Sequence, residues 1–184
     1  MREWARWLIA LLLGMSTVAS AQTYRVLVTL PGWSRRPTAL DTMTTTFEIG
    51  APSGSVFAAL SAVLVELDIP TDIRDSVGGM LGNATLKKTY NFAGFQLSRL
   101  QECGMGATGP NANTYRVHMA LVGFVDEDGP ARTHLRIAFA AGATDLAGTS
   151  KEASSCRSTG ALEARIADLV KQRVLITVLR QQDR

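Results

Sequence analysis

The chain has 184 residues, of which 46% are hydrophobic and 19% are charged, and its formal net charge is +3. This composition excludes a disordered chain, and the small charge gives no electrostatic reason to expect nucleic-acid binding. A chain of this length suits one domain with a substantial buried core.

The first 21 residues contain the three parts of a secretory signal peptide in order. Arg2 and Arg6 make a basic start, residues 7–18 are an apolar core, and residues 19–21 match a small-residue cleavage site. The apolar run is too short for a membrane span, which needs about 20 apolar residues. We therefore predict a periplasmic or secreted protein that begins at Gln22 and has no stable membrane span after signal cleavage.

The chain after this signal is predicted to contain an N-terminal strand and loop (22–43) and a single α+β domain (44–184). The strand candidates are 24–30, 44–49, 71–77, 80–88, 114–125 and 132–140. The last two form a long hairpin around an acidic loop, 126–129, and they alternate strongly enough to bury one face. Residues 89–102 remain open between helix and strand, and residues 141–155 are expected to be a loop of small residues.

Two amphipathic helices are predicted from apolar residues at helical spacing. The candidates with their expected N-caps are 56–67 after Ser53 or Ser55, and a C-terminal helix after Ser158 or Thr159. Residues 174–179 are apolar all round and remain open between a buried helix end and a short strand. The order of elements predicts an α+β fold: an antiparallel sheet with a mid-chain helix and a C-terminal helix packed on one face.

Cys103 and Cys156 are the only cysteines of the chain. In an exported protein an isolated pair most simply forms a disulfide. A redox pair usually has C-x-x-C spacing, and a zinc site needs further cysteine or histidine ligands. The predicted bridge ties the segment before the long hairpin to the start of the C-terminal helix.

Residues 104–109, GMGATG, match the glycine pattern of dinucleotide-binding loops. That loop must follow a strand and open a helix, so that the helix N-terminus faces the pyrophosphate. Here Pro110 and then a strand candidate follow, with no helix. We interpret the segment as a flexible connection that lets Cys103 reach Cys156, and we predict no cofactor.

The long hairpin carries one unusual set of polar side chains, called the cationic set below. By period-two counting its members point to the same side: Arg116, His118, Arg132, His134 and Arg136. They form either a possible binding face for an anion or carboxylate, or the solvated face of a half-exposed sheet, which is the favoured interpretation. Ala120, Val122 and Phe124 interrupt the set and indicate that part of this face is covered.

The two histidines of this set, His118 and His134, are the only ones in the chain, and one hairpin register would place them opposite each other. A metal site would still lack a clear third ligand. No G-x-S-x-G elbow and no paired carboxylates for glycoside chemistry occur. We therefore predict no metal ligand, no catalytic residue and no enzymatic activity.

Two segments resemble known kinds of protein. Residues 115–166 (YRVHMALVGFV through CRSTGALEARI) resemble exported bacterial domains of unknown role. Residues 46–83 (TFEIGAPSGSVFAALSAVLVELDIPTDIRDSVGGMLGN) are similar, in element order, to the repeated domains in the lipoprotein C subunit of the outer-membrane β-barrel assembly machinery. This resemblance implies a noncatalytic, partner-binding α+β domain. The chain departs from that family in having a disulfide and no lipidation cysteine.

These observations favour an exported, noncatalytic domain, either a structural module or one that binds another, unknown envelope protein. The alternative is a carrier of a small apolar ligand, held in a cavity between the sheet and the helices. Four small residues facing the interior would leave room for that ligand: Gly123, Ala138, Ala140 and Gly142.

Overall fold

A seven-stranded antiparallel sheet organises the computed structural model of the chain, which describes residues 25–148 and 150–182. The strands are β1 (Thr44–Ile49), β2 (Ile73–Asp75), β3 (Met80–Lys88), β4 (Gln101–Glu102), β5 (Arg116–Glu127), β6 (Thr133–Thr144) and β7 (Ser154–Ser158). The two long helices are α1 (Ser53–Glu66) and α2 (Ala161–Gln182). This architecture confirms the predicted α+β class, whereas the predicted signal peptide, 1–21, lies outside the described residues.

Short elements complete the described chain. They are the strand pairs Leu27–Val28 with Thr38–Ala39, Asn91–Phe92 with Phe95–Gln96, and Met105–Gly106 with Gly109–Pro110, and the helical turns Leu40–Thr42, Leu97–Leu100 and Asn111–Thr114. No helix within the described ranges is long and apolar enough to cross a membrane.

Strand β6 pairs with β5 along one edge, and its other edge is shared by two strands, β1 and β7. The strands lie in the order β2, β3, β5, β6, β7, β4, and β5 and β6 pair along 12 residues each, which confirms the predicted long hairpin. On the other edge of β6, residues 133–138 pair with β1 and residues 141–143 pair with β7. Phe139 and Ala140 therefore have no strand partner on that edge.

One face of the sheet packs against α1 and α2. Alternate residues of β5 and β6 form a buried cluster with the apolar stripes of both helices, including Met119, Leu121, Leu135, Ile137, Leu60, Val63, Ile166 and Val170. At Gly123 an added Cβ would lie 2.7 Å from Cδ2 of Leu60. The small residue thus allows α1 to approach the sheet, and Leu60 fills the space beside it.

Residues 25–43, called the covering segment below, pack on the opposite face. Val26, Val28, Leu30 and Leu40 are buried there with a row of sheet residues that includes Ala120, Val122 and Phe124. The approach is close, because an added Cβ at Gly142 would lie 1.9 Å from the carbonyl oxygen of Pro31. The prediction that part of this face is covered is therefore confirmed.

The Cys103–Cys156 disulfide is formed, with an S–S distance of 2.01 Å, and it links the end of β4 to the middle of β7. Both cysteines are buried in the core that the sheet shares with α1 and α2. The bridge joins short strands that pair through only two residues each, Gln101–Glu102 with Arg157–Ser158. The predicted staple is thus confirmed, and it holds the outermost strand on that side of the sheet.

Several local predictions need correction. Helix α1 begins at Ser53 and its N-cap is Pro52, so neither Ser53 nor Ser55 is the N-cap as predicted. Helix α2 begins at Ala161, and Gly160 accepts its first helical hydrogen bond from Ala164 at 3.0 Å, so neither Ser158 nor Thr159 is the N-cap as predicted. Their hydroxyls instead accept hydrogen bonds from the N–H groups of Gly160 and Ala161, at 3.1 and 3.3 Å, just before the helix.

Residues 141–144 and 154–155 are strand where a loop was expected, because each pairs with a neighbouring strand of the sheet. The structure also shows the conformation of the two segments for which the sequence left helix and strand open. Residues 89–102 form a short hairpin, a helical turn and β4, and residues 174–179 continue α2 as helix.

Candidate functional site

The register of the long hairpin separates the cationic set into two groups. His118 lies opposite Gly142 near one end of the hairpin, whereas His134 lies opposite Asp126 near the other. Eight strand residues separate these positions, which corresponds to about 27 Å. The two histidines therefore do not face each other, and the covering segment occupies the sheet surface between the two groups.

The group at the hairpin loop is neutralised by neighbouring carboxylates. The Arg136 guanidinium donates to both oxygens of Asp126, at 2.6 and 3.3 Å, and lies over the ring of Phe124. Arg132 lies 2.5 Å from the Asp128 carboxylate, and His134 lies 3.6 Å from the same oxygen. Because the acidic loop already pairs with these cations, the group offers little unbalanced charge to an anion.

The other group contains Arg116 and His118. Burial lowers the pKa of His118, and the nearby charges of Lys87 and Arg116 lower it further. The imidazole is therefore favoured in its neutral form, with Nε2 3.3 Å from the Thr144 hydroxyl. Within the described residues, no cluster of three or more His, Cys, Asp or Glu side chains is placed to hold a metal ion.

The GMGATG segment forms a tight hairpin beside the disulfide. Residues 105–106 pair with residues 109–110, and a single helical turn, Asn111–Thr114, follows before β5. No helix was expected here, so this turn corrects the prediction, although one turn is far shorter than the helix of a dinucleotide fold. Asn111 donates to the carbonyl oxygen of Cys103 at 3.2 Å, which closes the segment onto the bridge.

A groove of about 1070 Å³ opens beside Phe139 and Ala140, where the edge of β6 lacks a strand partner. The beginning of β1 forms one wall, with Met43, Thr44 and Thr45. The opposite wall is the end of β7 and the residues before α2, from Ser155 to Gly160. The groove thus lies in the gap between β1 and β7, which pair with different parts of the same edge of β6.

The groove combines apolar side chains with hydrogen-bonding groups. Trp33, Met43 and Phe139 supply apolar surface, and the Trp33 indole is oriented by a 2.7 Å hydrogen bond from Nε1 to the Ala141 carbonyl oxygen. An ion pair between Arg157 and Glu102, 2.6 Å, also lines it. Such a mixture is typical of ligand sites that take an apolar group and fix its orientation by a few polar contacts.

A buried acid lies at one end of the groove. Glu163, in the first turn of α2, is only 3% exposed, and its Oε1 accepts a 2.6 Å hydrogen bond from the Ser158 hydroxyl. Its Oε2 has no hydrogen-bond partner among the described residues. Burial raises the pKa of the Glu163 carboxyl, and the hydrogen bond from Ser158 opposes this effect.

A buried amide lies opposite Ser158, the hydrogen-bond partner of this acid. Gln101 is 1% exposed and is opposite Ser158 in the β4–β7 register. Neither amide atom of Gln101 has a hydrogen-bond partner in the part of the chain that the structure describes. Cross-strand neighbours point to the same face, so Gln101 shares a face with Ser158, which in turn donates to Glu163. Ser158 links the other two side chains into a polar cluster, of which Ser158 and Glu163 line the groove. This cluster retains hydrogen-bonding capacity that the described residues do not use.

The strand that forms one wall of the groove is also open at its outer edge. β1 pairs with β6 along one edge, and no other described segment pairs with it. Thr45, Thr46 and Glu48 of this strand are exposed. This edge, Trp33 and Glu163 were not predicted from the sequence, because β1 has an ordinary strand pattern and Glu163 an ordinary position in a first helical turn.

No protein-family model matches the chain, and no curated protein matches it. The two resemblances drawn from the sequence therefore stay predictions.

Proposed function

We propose that the mature protein is exported to the periplasm or the cell exterior, and that it is a noncatalytic protein-interaction domain. In this proposal it binds an extended segment of another envelope protein, which adds a strand to β1. The observation that carries the proposal is the open edge of β1, whose first two residues, Thr44 and Thr45, also line the groove. Export is supported by the signal-like start of the sequence and by the disulfide, since disulfides persist in oxidising compartments.

The edge of β1 differs from the other open edges of the described sheet. An edge strand presents unpaired N–H and C=O groups, and proteins usually protect it by short length, proline, lysine or a bulge. The edges of β2 and β4 are short, at 3 and 2 residues, and the part of β3 that extends beyond β2, residues 83–88, contains Lys87 and Lys88. By contrast, β1 has 6 residues and contains neither proline nor lysine. This edge is therefore the one best suited to bind an added strand.

Strand addition at β1 would also use the groove. Backbone hydrogen bonds supply affinity in this mode of binding, and pockets for alternate side chains supply specificity. Thr44 and Thr45 belong to both β1 and the groove wall, so a side chain of the bound segment next to them would enter the groove. There it would meet the apolar surface of Trp33 and Phe139.

The alternative function, a carrier of a small apolar ligand, also has its best site in this groove. Between the sheet and the helices, Leu60 fills the space that Gly123 leaves, and on the other face Pro31 fills the space beside Gly142. Trp33 and Phe139 in the groove provide the apolar surface that a carrier needs. The two functions share a site and differ in their need for the backbone edge of β1.

Peptide display on the mature chain tests the proposal. Random twelve-residue peptides are selected on the wild-type protein, and binding is followed by the fluorescence of Trp33, which is the sole tryptophan downstream of the predicted signal. Thr46→Lys places a charged side chain on the open edge, and Thr71→Lys makes the same change at another exposed threonine, outside β1 and the groove.

We expect selected peptides to protect β1 amides from hydrogen exchange, and T46K to weaken binding about tenfold relative to T71K. Failure to select any peptide, or equal binding by both variants, would contradict strand addition. A small molecule that copurifies with the protein and whose binding T46K leaves unchanged would instead support the carrier.

A further inference from the structure

The end of helix α2 extends away from the core of the domain. Val170 and Val174 are the last buried residues of the helix, and every residue from 175 to 180 is exposed. Four of these six are large aliphatic residues that are 41 to 59% exposed: Leu175, Ile176, Val178 and Leu179. In a globular domain the solvent-facing end of a helix is normally polar, so this apolar end requires an explanation.

The four side chains share one broad side of the helix. At 100° per residue, Val178, Leu175, Leu179 and Ile176 span about 160° of the helix surface. The buried residues Val170 and Val174 lie outside this range, on the side that packs against the core. The exposed apolar surface is therefore separate from the surface that holds α2 on the domain.

The charges around this surface are basic. In the sequence, residues 169–184 contain four basic residues, Lys171, Arg173, Arg180 and Arg184, and one acidic residue, Asp183. Arg173 is paired with Glu66 of α1, whereas Lys171 and Arg180 are in no salt bridge among the described residues. Asp168 is the last acid before the apolar end, and it lies about 10 Å along the helix before Leu175.

Size and charge together decide between two possible occupants of this surface. A stable protein dimer buries about 800 Å² on each partner, whereas the helix from Leu175 to Gln182 is only about 12 Å long. Binding at a membrane interface requires only that apolar side chains enter the outer 5–10 Å or so, while nearby lysine and arginine contact anionic headgroups. The combination of aliphatic residues and unpaired cations matches the second case.

We propose that the end of α2 docks the protein on an anionic phospholipid bilayer. Leu175, Ile176, Val178 and Leu179 enter the interface, and Lys171 and Arg180 contact the phosphate groups. The surface is separate from β1 and from the groove, so this proposal does not depend on strand addition.

Vesicle flotation of the mature full-length chain tests the docking surface. Vesicles contain either 30% phosphatidylglycerol in phosphatidylcholine or phosphatidylcholine alone. L175S/L179S removes apolar contacts, and K171Q/R180Q removes the unpaired charges. V77S/L146S is the matched control, because Val77 and Leu146 are exposed aliphatic residues outside α2. All substituted side chains are exposed, so we expect unchanged circular dichroism and unfolding curves.

We expect the wild type and V77S/L146S to float with the anionic vesicles. L175S/L179S should bind them about tenfold or more weakly. K171Q/R180Q should lose the preference for phosphatidylglycerol, and added salt should have the same effect on the wild type. Absence of wild-type flotation, or equal flotation of L175S/L179S, would overturn the proposal. A wild-type dimer in light scattering that L175S/L179S converts to a monomer would also overturn it, and would assign the surface to a second copy.

Discussion

Removal of the Cys103–Cys156 bridge is the most quantitative perturbation that the structure offers. The two cysteines are 53 positions apart in sequence, and both are buried beside β4 and β7. The bridge limits the conformations of the unfolded chain, and this restriction is the main source of its stabilising effect in the chain-entropy description. Reduction and the double variant C103A/C156A remove the same covalent loop.

The expected loss follows from the size of that loop. Closing 53 positions lowers the entropy of the unfolded chain by an amount worth about 4 kcal/mol at 25 °C. A domain of this kind has a total free energy of unfolding of roughly 5–15 kcal/mol. With a urea m-value of about 2 kcal/mol/M, the midpoint of unfolding would fall by roughly 2 M.

Urea unfolding with and without reductant measures this effect, and C103A/C156A provides the comparison that excludes reductant artefacts. The pairing of β4 with β7 rests on two residues in each strand, so hydrogen exchange should rise there before the central hairpin opens. A loss of stability below about 1 kcal/mol in both experiments would refute the argument from loop closure.

Three further predictions concern the packing and the buried acid. Gly142→Ala should destabilise the protein by about 1–3 kcal/mol and shift Trp33 fluorescence to the red, because its Cβ would displace Pro31 and the covering segment. Equal unfolding curves and spectra would show that the segment does not pack there. Leu135→Ala should cost about 2–5 kcal/mol, against about 0.5 or less for the exposed Leu146→Ala, in the same urea assay.

For Glu163 the raised pKa means that its contribution to stability is fully present below about pH 4.5 and is lost as pH rises through the folded-state pKa. Glu163→Gln should therefore stabilise the protein more at pH 7 than at pH 4, and an equal effect at both pH values would contradict this.

Much of the scaffold was predictable because its signals are local or periodic. β5 and β6 alternate over 12 residues each, and α1 repeats its apolar residues at helical spacing. The disulfide followed from the count of cysteines and the predicted compartment. The N-cap of α1 was mistaken because two serines near Pro52 look alike in sequence, while only the backbone path decides which residue precedes the first helical turn.

The sequence by itself determined the fold class, the disulfide and the central hairpin, because each depends on residue types that are close in sequence or few in number. Only the tertiary structure decided that β1 and β7 divide one edge of β6, and that Glu163 lines the resulting groove with its partner Ser158, opposite Gln101. It also decided that the apolar residues of 174–179 lie mostly outside the core. These features depend on which distant segments become neighbours, and hydrophobic periodicity gives the face that a residue occupies but not the partner that covers it.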